Sequence, residues 1–384
     1  MNRLIATLIF VHLAVQAAAF DTRAKAAFVL DQTSGTVLLD KNADQPLPPA
    51  SMSKLMTLYM AFEAIRDGRL SIAERLPVSS HAMSYGGSTM FLDTTDRVKV
   101  EDLLRGIIVL SGNDACAVIA EALSPDGTEA GFARLMTQRA KLMGMEQSNF
   151  TNSNGWPQLG HLMSAHDLGI LANRLITDFP EYYPLFSETE FLFDGRAPQN
   201  KSNRNPLLKL GIGADGLKTG HTVEAGYGLV GSAKQGDRRV IFVLSGLEST
   251  EQRAKEAETI VNWSFRQFSQ RKLVQKGQQL ASAEVWMGME PSIGLEAAAD
   301  FDVLLPVLSG KELAAEVVFT GPINAPISKG QELGELVFTP DGLPEVRLPL
   351  VASKDVARGG FVSRITTAAM VLLKKLNQGP EGAM

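Results

Sequence analysis

The sequence predicts an α+β fold in which an antiparallel sheet with helices on both faces and a helical lobe is followed by a small all-β domain and a C-terminal amphipathic helix. Strand patterns stand at both ends of a long helical stretch, residues 51–186, so the early and late strands are expected to pair in one sheet. After residue 271 the chain changes to short β-like pieces separated by Gly and Pro. Near its end, apolar residues recur at helical spacing among basic ones.

Residues 1–19 have the pattern of a cleavable secretory signal peptide. Arg3 precedes an apolar run, residues 4–15, and three alanines close the segment. The alternative is a membrane anchor, but the run is shorter than the roughly 20 residues that a spanning helix needs. We therefore expect an exported protein whose mature chain begins near Phe20 and works outside the cytoplasm.

Composition and charge exclude several classes of function. The 384 residues carry a formal net charge of −5, which gives no indication of a nucleic-acid partner. Cys116 is the single cysteine, so no internal disulfide can form. The five histidines are scattered and no His/Cys/Asp cluster has metal-ligand spacing, so we expect no metal and no other cofactor.

The first predicted domain covers residues 20–270. Its strand patterns, a hairpin and three later segments, cover 26–30, 36–39, 215–222, 227–233 and 238–245. Its clearer helical patterns cover 101–110, 114–123, 130–143, 164–177 and 250–268.

The second predicted domain, residues 271–351, is a small all-β module. Its β-like pieces cover 284–286, 302–307, 315–319 and 335–338. Because no titratable cluster stands out in it, we interpret it as a spacer or docking domain, with carbohydrate binding as the alternative.

The last predicted segment, residues 352–384, is an amphipathic helix. Its apolar face includes Phe361, Ile365 and Leu372, with basic residues around it. Nine uncharged residues separate Arg364 from Lys374, too few to span a bilayer. The helix therefore lies in the membrane surface or packs on the protein, and its position at the chain end favours the membrane.

The stretch PASMSKLMT, residues 49–57, holds a candidate nucleophile and its base. If it begins a helix, Ser51 and Lys54 share one face, so the hydroxyl and the amine come within hydrogen-bonding reach. A serine hydroxyl needs a neighbouring base, and an amine can serve if burial or a second cation keeps it partly neutral. Ser-x-x-Lys alone is a common string and indicates little.

Two later motifs make the pattern specific. Ser111-Gly112-Asn113 lies between two predicted helices, in a connection short enough to point Ser111 and Asn113 back into a cleft. Lys218-Thr219-Gly220 lies on a predicted strand, with small residues nearby that let a ligand approach the backbone. The three strings in this order are a strong joint signal.

Together the motifs resemble those of the serine β-lactamases and penicillin-binding proteins, with Gly112 where their middle motif has Asp. Longer strings are similar to one branch, the serine-type D-Ala-D-Ala carboxypeptidases, or low-molecular-mass penicillin-binding proteins. These strings are GSTMFL (87–92), SGNDAC (111–116) and DGLKTGHT (215–222). That family also has a signal peptide, a β-lactamase/transpeptidase-like domain, a C-terminal β-rich domain and an amphipathic membrane anchor, so the resemblance covers nearly the whole chain.

The resemblance implies a role for each catalytic residue. Ser51 would attack the carbonyl between two D-alanines, and Lys54, kept partly neutral by burial and the Lys218 cation, would take its proton. Ser111 would pass a proton to the departing amine. Asn113 would hold both Lys54 and the substrate amide.

The resemblance also implies the substrate-binding groups. The backbone N–H groups of Ser51 and His221 would form an oxyanion hole. Lys218 and Thr219, in the strand that continues through Gly220, would bind the terminal carboxylate.

Two arginines are weaker candidates for substrate binding. Arg253, at the start of the last helix of this domain, would reach the substrate carboxylate, and Arg204 resembles a family site residue on a loop. For both, the alternative is a solvated surface arginine. Cys116, one helical turn from Asn113, is either a small buried hydrophobe, the reading we favour, or a catalytic thiol.

The chain departs from the family at Asn154, where His is common, which puts a deacylation role for this residue in doubt. The chain also lacks the Glu-bearing loop motif of class A β-lactamases, so penicillin should acylate Ser51 and leave slowly. The resemblance thus implies a carboxypeptidase acting on peptidoglycan stem peptides ending in D-Ala-D-Ala, with β-lactam antibiotics as covalent inhibitors, at the periplasmic face of the bacterial inner membrane. The alternatives are a β-lactamase of the same fold and a catalytically idle membrane-bound envelope scaffold.

Overall fold

The structure is a computed structural model that describes residues 20–307 and 315–360. The described chain divides into two compact units, Phe20–Arg266 and a second that begins at Gln267. The predicted signal peptide and residues 361–384 of the predicted amphipathic segment lie outside the described residues. In the part that is described, no helix combines the length and the apolar character that crossing a membrane requires.

A five-stranded antiparallel sheet is the base of the first unit. Strands of this unit are β1 (Ala26–Asp31), β2 (Thr36–Lys41), β3 (Arg75–Pro77), β4 (Arg97–Lys99), β5 (Ala214–Thr222), β6 (Gly226–Gln235) and β7 (Arg238–Leu247). The sheet has the order β2-β1-β7-β6-β5, and β3 pairs with β4 separately. Phe28 of β1 lies opposite Val243 of β7, so the predicted pairing of the hairpin with the late strands is confirmed.

Seven α-helices occupy the same unit. They are α1 (Lys54–Arg66), α2 (Ser80–Met83), α3 (Val100–Arg105), α4 (Asn113–Leu123), α5 (Glu129–Leu142), α6 (Ala165–Asp178) and α7 (Thr250–Gln267). Two 3₁₀ turns cover Ala50–Ser53 and Tyr183–Ser187. The single helix predicted over 101–110 is instead α3 followed by a wider π turn, Gly106–Leu110.

Helices cover both faces of the sheet. Phe28 and Asp31 lie three apart on β1 and so face opposite sides. Phe28 packs on α6, where a Cβ atom at Gly169 would lie 2.5 Å from its ring. On the other face Asp31 pairs with Arg238, which also donates to the Ser264 carbonyl of α7 at 2.8 Å. These contacts confirm the predicted α+β architecture.

Helix α1 is buried nearly all round. Its side chains Leu55, Tyr59 and Phe62 have no exposed surface, and it packs on α4, α5 and α6. A helix that is apolar on every side belongs in a core rather than at a surface. The turn at its N-terminus, which holds Ser51, is therefore attached to one of the most enclosed elements of the unit.

The second unit is all-β, as predicted. Its strands are β8 (Phe268–Val274), β9 (Gln279–Trp286), β10 (Ser292–Ala297), β11 (Phe301–Pro306), β12 (Ala315–Phe319), β13 (Ile323–Asn324), β14 (Glu332–Phe338) and β15 (Val346–Ala352). Six form a sheet in the order β12-β14-β15-β10-β9-β13, and β11 pairs with β8. A separate apolar core includes Ile293, Leu295 and Leu350.

Residues 353–360 belong to this β unit. Ser353 N–H donates to Gly294 O at 3.1 Å, and Val356 exchanges backbone hydrogen bonds with Ile327 at 2.9 Å. Gly359 N–H donates to the Met287 carbonyl at 2.8 Å. Any amphipathic segment therefore begins later than the expected residue 352.

Candidate active site

Ser51 and Lys54 are in direct contact. Ser51 lies in the 3₁₀ turn and Lys54 is the first residue of α1, so Ser51 precedes that helix rather than starting it. Lys54 Nζ, fully buried, lies 2.8 Å from Ser51 Oγ, 2.7 Å from Asn113 Oδ1 and 2.6 Å from the Asn154 carbonyl oxygen. The expected hydroxyl–amine contact is therefore present.

The partners of Lys54 fix where its lone pair can point. Asn113 Oδ1 and the Asn154 carbonyl oxygen carry no hydrogen and can only accept. A neutral amine has two N–H groups, and when both donate to these oxygens its lone pair is left facing Ser51 Oγ. The Ser51 hydroxyl can then donate to Nζ, which is the arrangement that a general base requires.

Burial lowers the pKa of Lys54 from 10.5 to about 8, and the nearby Arg204 cation acts in the same direction. The Lys218 cation that we expected to act on Lys54 is also close to it, because the repulsion between these two groups is mutual. Burial first, and then repulsion from Lys54 and Arg204, lowers the pKa of Lys218 well below its ordinary value. Near neutral pH, part of the Lys54 population is therefore neutral.

Gly220 lets strand β5 approach the Ser51 turn. A Cβ atom at Gly220 would lie 2.9 Å from the Pro49 carbonyl oxygen and 3.3 Å from Ala50 Cβ, so a side chain there would push the strand away. Since β5 also carries Lys218, Thr219 and His221, the strand and the nucleophile turn form one site.

Two buried cations of this site have few partners. Lys218 Nζ donates only to the Thr219 carbonyl, at 3.2 Å, among the hydrogen bonds within the described residues. Arg253 is 7% exposed, and its buried Nε has no hydrogen-bond partner there. Its guanidinium lies 5.7 Å from the centre of the Tyr227 ring, which in turn stacks on His221 at 3.9 Å. Burial lowers the pKa of Arg253.

Arg204 extends this cationic group. It donates to Ser88 Oγ at 2.6 Å and to the Leu110 carbonyl at 3.4 Å, so the predicted loop residue does lie at the site. Within the described residues none of Lys54, Lys218, Arg204 and Arg253 forms an ion pair with a carboxylate. Burying a charge without a partner costs free energy, so such a group points to an anionic ligand.

Ser111 has an unusual backbone conformation. Its φ of 63° and ψ of 34° lie in the left-handed region, which a residue with a side chain adopts rarely and most often at functional sites. It is buried between Leu110, whose carbonyl binds Arg204, and Asn113, which binds Lys54. This segment therefore places the Ser111-Gly112-Asn113 motif beside the Ser51–Lys54 pair.

Asp114 is a supporting residue that sequence reasoning missed. Its buried carboxylate accepts hydrogen bonds from the backbone N–H groups of Met90, Leu92 and Ala115, at 2.9 to 3.1 Å. It therefore ties the 87–92 loop to the start of α4.

Glu129 is a second missed residue. Its carboxylate accepts from Ser153 N–H at 2.9 Å and from the Tyr85 hydroxyl at 2.6 Å, and it contacts His81 Nε2 at 2.7 Å. Burial acts to raise the pKa of Glu129, but these hydrogen bonds outweigh it and hold the pKa below its ordinary value. Glu129 thereby fixes the segment whose next carbonyl, that of Asn154, binds Lys54. An acidic residue in a first helical turn is too common to have signalled this.

Neither the Cys116 thiol nor the Asn154 side chain is placed to act in catalysis. Cys116 is fully buried, and burial raises the pKa of its thiol to about 12, so it remains protonated as a small hydrophobe. Asn154 touches Lys54 through its main-chain oxygen, while its side chain accepts from Trp156 N–H at 2.9 Å. Across the ranges that the structure describes, no group of three His, Cys, Asp or Glu residues could hold a metal ion.

A serine hydroxyl bound to a buried lysine, beside a strand edge and an unpaired cationic group, defines a serine hydrolase of the penicillin-binding class. The family model for D-alanyl-D-alanine carboxypeptidase, peptidase S11, matches residues 13–249, and the model for the penicillin-binding protein 5 C-terminal domain matches residues 268–358. The chain belongs to the D-alanyl-D-alanine carboxypeptidase family.

Individual relatives agree with this assignment. The chain is 35% identical over 357 residues to D-alanyl-D-alanine carboxypeptidase DacC of Escherichia coli (strain K12), covering 91% of this chain and 88% of the relative. Penicillin-binding protein 5 from Haemophilus influenzae has a TM-score of 0.74 and 32% identity, covering 88% of this chain and 98% of that one. Penicillin-binding protein D2 from Listeria monocytogenes, in its ampicillin-bound form, has a TM-score of 0.57 and 32% identity over 64% of this chain and 98% of its own. The predicted family, fold and hydrolase class are confirmed.

Proposed function

We propose that this protein removes the terminal D-alanine from peptidoglycan stem peptides through an acyl-enzyme on Ser51. The observation that carries the proposal is the unpaired cationic group beside the Ser51–Lys54 pair. An enzyme that cleaves only the last residue must bind a terminal carboxylate next to its nucleophile. Buried, unpaired Lys218 and Arg253 supply the charge that such a carboxylate needs.

Acylation follows from the geometry around Lys54. Ser51 Oγ attacks the carbonyl carbon between the two D-alanines while its proton moves to the neutral Lys54 amine, which has a pKa of about 8. The backbone N–H groups of Ser51 and His221 stabilise the oxyanion. Ser111 passes a proton to the departing nitrogen as the C–N bond breaks and regains one from the Lys54 ammonium, and water later hydrolyses the ester.

Substrate binding uses the remaining groups. The terminal carboxylate is held by Lys218, Thr219 and Arg253. Arg204, which donates to Ser88 Oγ, adds positive potential. One N–H of Asn113 Nδ2 donates to the Gly86 carbonyl at 2.8 Å, which leaves its second N–H for the substrate amide.

Penicillins act on the same site as covalent inhibitors. Their carboxylate matches the cationic group, and their strained amide acylates Ser51. Two buried carboxylates lie in this neighbourhood, and both are already occupied: Asp114 by backbone N–H groups, and Glu129 by Ser153, Tyr85 and His81. Neither is therefore free to activate a deacylating water. This supports slow release of penicillin and separates the enzyme from a β-lactamase.

A peptide ending in D-Ala-D-Ala tests the function directly. The mature protein is expected to release one D-alanine per peptide, and benzylpenicillin is expected to give a single adduct that mass spectrometry maps to Ser51 and that is lost slowly. Rapid hydrolysis of benzylpenicillin over many turnovers, without release of D-alanine, would instead identify a β-lactamase.

We also propose that residues 361–384 attach the exported enzyme to the outer surface of the inner membrane. Support comes from their amphipathic, basic pattern. The residues just before them, 353–359, are held in the β unit by backbone hydrogen bonds.

Removal of residues 361–384 tests this attachment. Because residues 353–360 remain in the β unit, the shortened protein is expected to fold, to leave the membrane fraction and to release D-alanine at the full-length rate. The full-length chain, fractionated in parallel, is the control. Sedimentation of the shortened protein with membranes would contradict the proposal.

A further inference from the structure

Arg204 stands between two asparagines, and the second of them, Asn205, is buried with 4% of its surface exposed. The Oδ1 atom of Asn205 accepts from the Leu207 N–H at 3.1 Å, and its Nδ2 donates to the Gly216 carbonyl oxygen at 2.9 Å. One neighbour is a donor and the other is an acceptor. The side chain must therefore both accept and donate, which an amide does and a carboxylate does not.

The Gly216 carbonyl belongs to β5, the edge strand of its sheet, which has a neighbouring strand on one side only. Two side chains hold this residue. Asn205 binds its oxygen, and a Cβ atom added at Gly216 would lie 2.9 Å from the Tyr183 hydroxyl oxygen. The start of β5 is thereby fixed two residues before Lys218.

Asp215 is the one acidic residue of β5, and it is already paired. Its carboxylate lies 2.7 Å from Arg239 Nη2 and accepts from the Tyr183 hydroxyl at 2.8 Å. Asp215 therefore anchors the strand while its charge is used by Arg239. The contact that joins β5 to the Arg204 loop is made by the uncharged side chain of Asn205.

Arg204 and Lys218 repel each other. After burial and the Lys54 cation, Arg204 is the next cause that lowers the pKa of Lys218. Like charges that share a site move apart unless the chain holds them in place. The Asn205–Gly216 hydrogen bond joins the residue after Arg204 to the residue two before Lys218, so it opposes this separation.

We propose that Asn205 is a positioning residue for recognition of the substrate carboxylate, an inference that rests on the proposed function. Its amide sets the separation of Arg204 and Lys218, so that both cations act on one terminal carboxylate. Because Asn205 carries no charge, it does this without adding a carboxylate that would compete with the substrate for the cations.

Two peptides that differ only at the C-terminus test this role. Both are Nα,Nε-diacetyl-lysyl-D-Ala-D-Ala, one as the free acid and the other as the C-terminal amide. The wild-type enzyme is expected to prefer the acid about 100-fold in kcat/KM, because only the acid presents a charge to the cations. Release of D-alanine from the acid and of D-alaninamide from the amide measures the two rates.

Asn205→Ala is expected to lower kcat/KM about 30-fold for the acid and no more than about threefold for the amide, because the cations lose their common placement. The preference for the acid then falls about tenfold. A loss of stability alone would lower both rates alike and leave the preference unchanged. Thermal unfolding shows whether the variant is folded.

Asn152→Ala is the matched control. Asn152 is also a buried amide that bridges two backbone groups, the Gly155 N–H at 2.8 Å and the Trp156 carbonyl at 3.0 Å. It contacts neither Arg204 nor the start of β5, so its removal should keep the wild-type preference for the acid whatever the rates.

Asn205→Asp serves if Asn205→Ala does not fold. The carboxylate keeps the size of the side chain and the acceptor for the Leu207 N–H, but it cannot donate to the Gly216 oxygen, so the preference for the acid should fall here too. A wild-type preference in either Asn205 variant would overturn the inference and leave the proposed function standing. Failure of the wild-type enzyme to release D-alanine from the acid would instead overturn the proposed function.

Discussion

Ser51→Ala is expected to lower the release of D-alanine by about 10⁴-fold or more, because no acyl-enzyme can form without the hydroxyl. The protein should remain folded, since Lys54 keeps the Asn113 and Asn154 oxygens as acceptors and loses one hydrogen bond, worth about 1 kcal/mol. Steady-state release of D-alanine, intact mass after exposure to benzylpenicillin and thermal unfolding measure these three effects.

Ser53→Ala is the matched control for the nucleophile. Ser53 lies in the same turn and is fully buried, and its hydroxyl has no hydrogen-bond partner in the described part of the chain. Its removal should leave turnover and penicillin binding near wild type. Full activity in Ser51→Ala, or loss of the adduct in Ser53→Ala, would show that the nucleophile has been misassigned.

Gly155→Ala is expected to lower the rate of penicillin acylation by about 100-fold and the free energy of unfolding by about 3 kcal/mol. A Cβ atom at Gly155 would lie 1.9 Å from the Ala50 carbonyl oxygen, and the residue has a φ of 81°. Either the Ser51 turn or the Asn154 segment must move, and both hold partners of Lys54. Acylation kinetics and urea unfolding measure the two losses.

Gly160→Ala is the control that distinguishes the steric clash with Ala50 from the cost of a side chain in a left-handed backbone conformation. Gly160 has a φ of 83°, but a Cβ atom there would come no closer than 3.7 Å to a neighbour, Asn149. This variant should lose only about 1 to 2 kcal/mol of stability, the cost of a left-handed conformation, and should acylate normally. If the two variants behave alike, the contact between Gly155 and Ala50 does not position the site.

The parts of the site that could be predicted from the sequence are those determined by short local motifs. The spacing of Ser51 and Lys54 sets their contact through one helical turn, and Gly220 marks the place where a strand must come close to another backbone. The periodic spacing of apolar residues, together with the turn residues, likewise indicated the hairpin, the late strands and most helices. No sequence pattern indicated the π turn before Ser111, because its formation depends on packing against the rest of the unit.

What the sequence could not show depends on distance in three dimensions. The Asn154 side chain raised doubt because the family often has His there, yet the group that binds Lys54 is a main-chain oxygen, which every residue possesses. The effect of Arg204 on Lys54 follows from proximity across the fold, and no spacing rule connects the two. Glu129 acts through Ser153, a link that only folding creates.

The cations of the site lower the stability of the folded protein. Lys218 and Arg253 are repelled by Arg204, and within the described residues neither forms an ion pair with a carboxylate. A bound carboxylate would offset this repulsion and so stabilise the folded protein. Substitutions that neutralise Lys218 or Arg253 would therefore ease folding while removing the attraction for substrate. Selection for recognition and selection for robustness act in opposite directions at these positions.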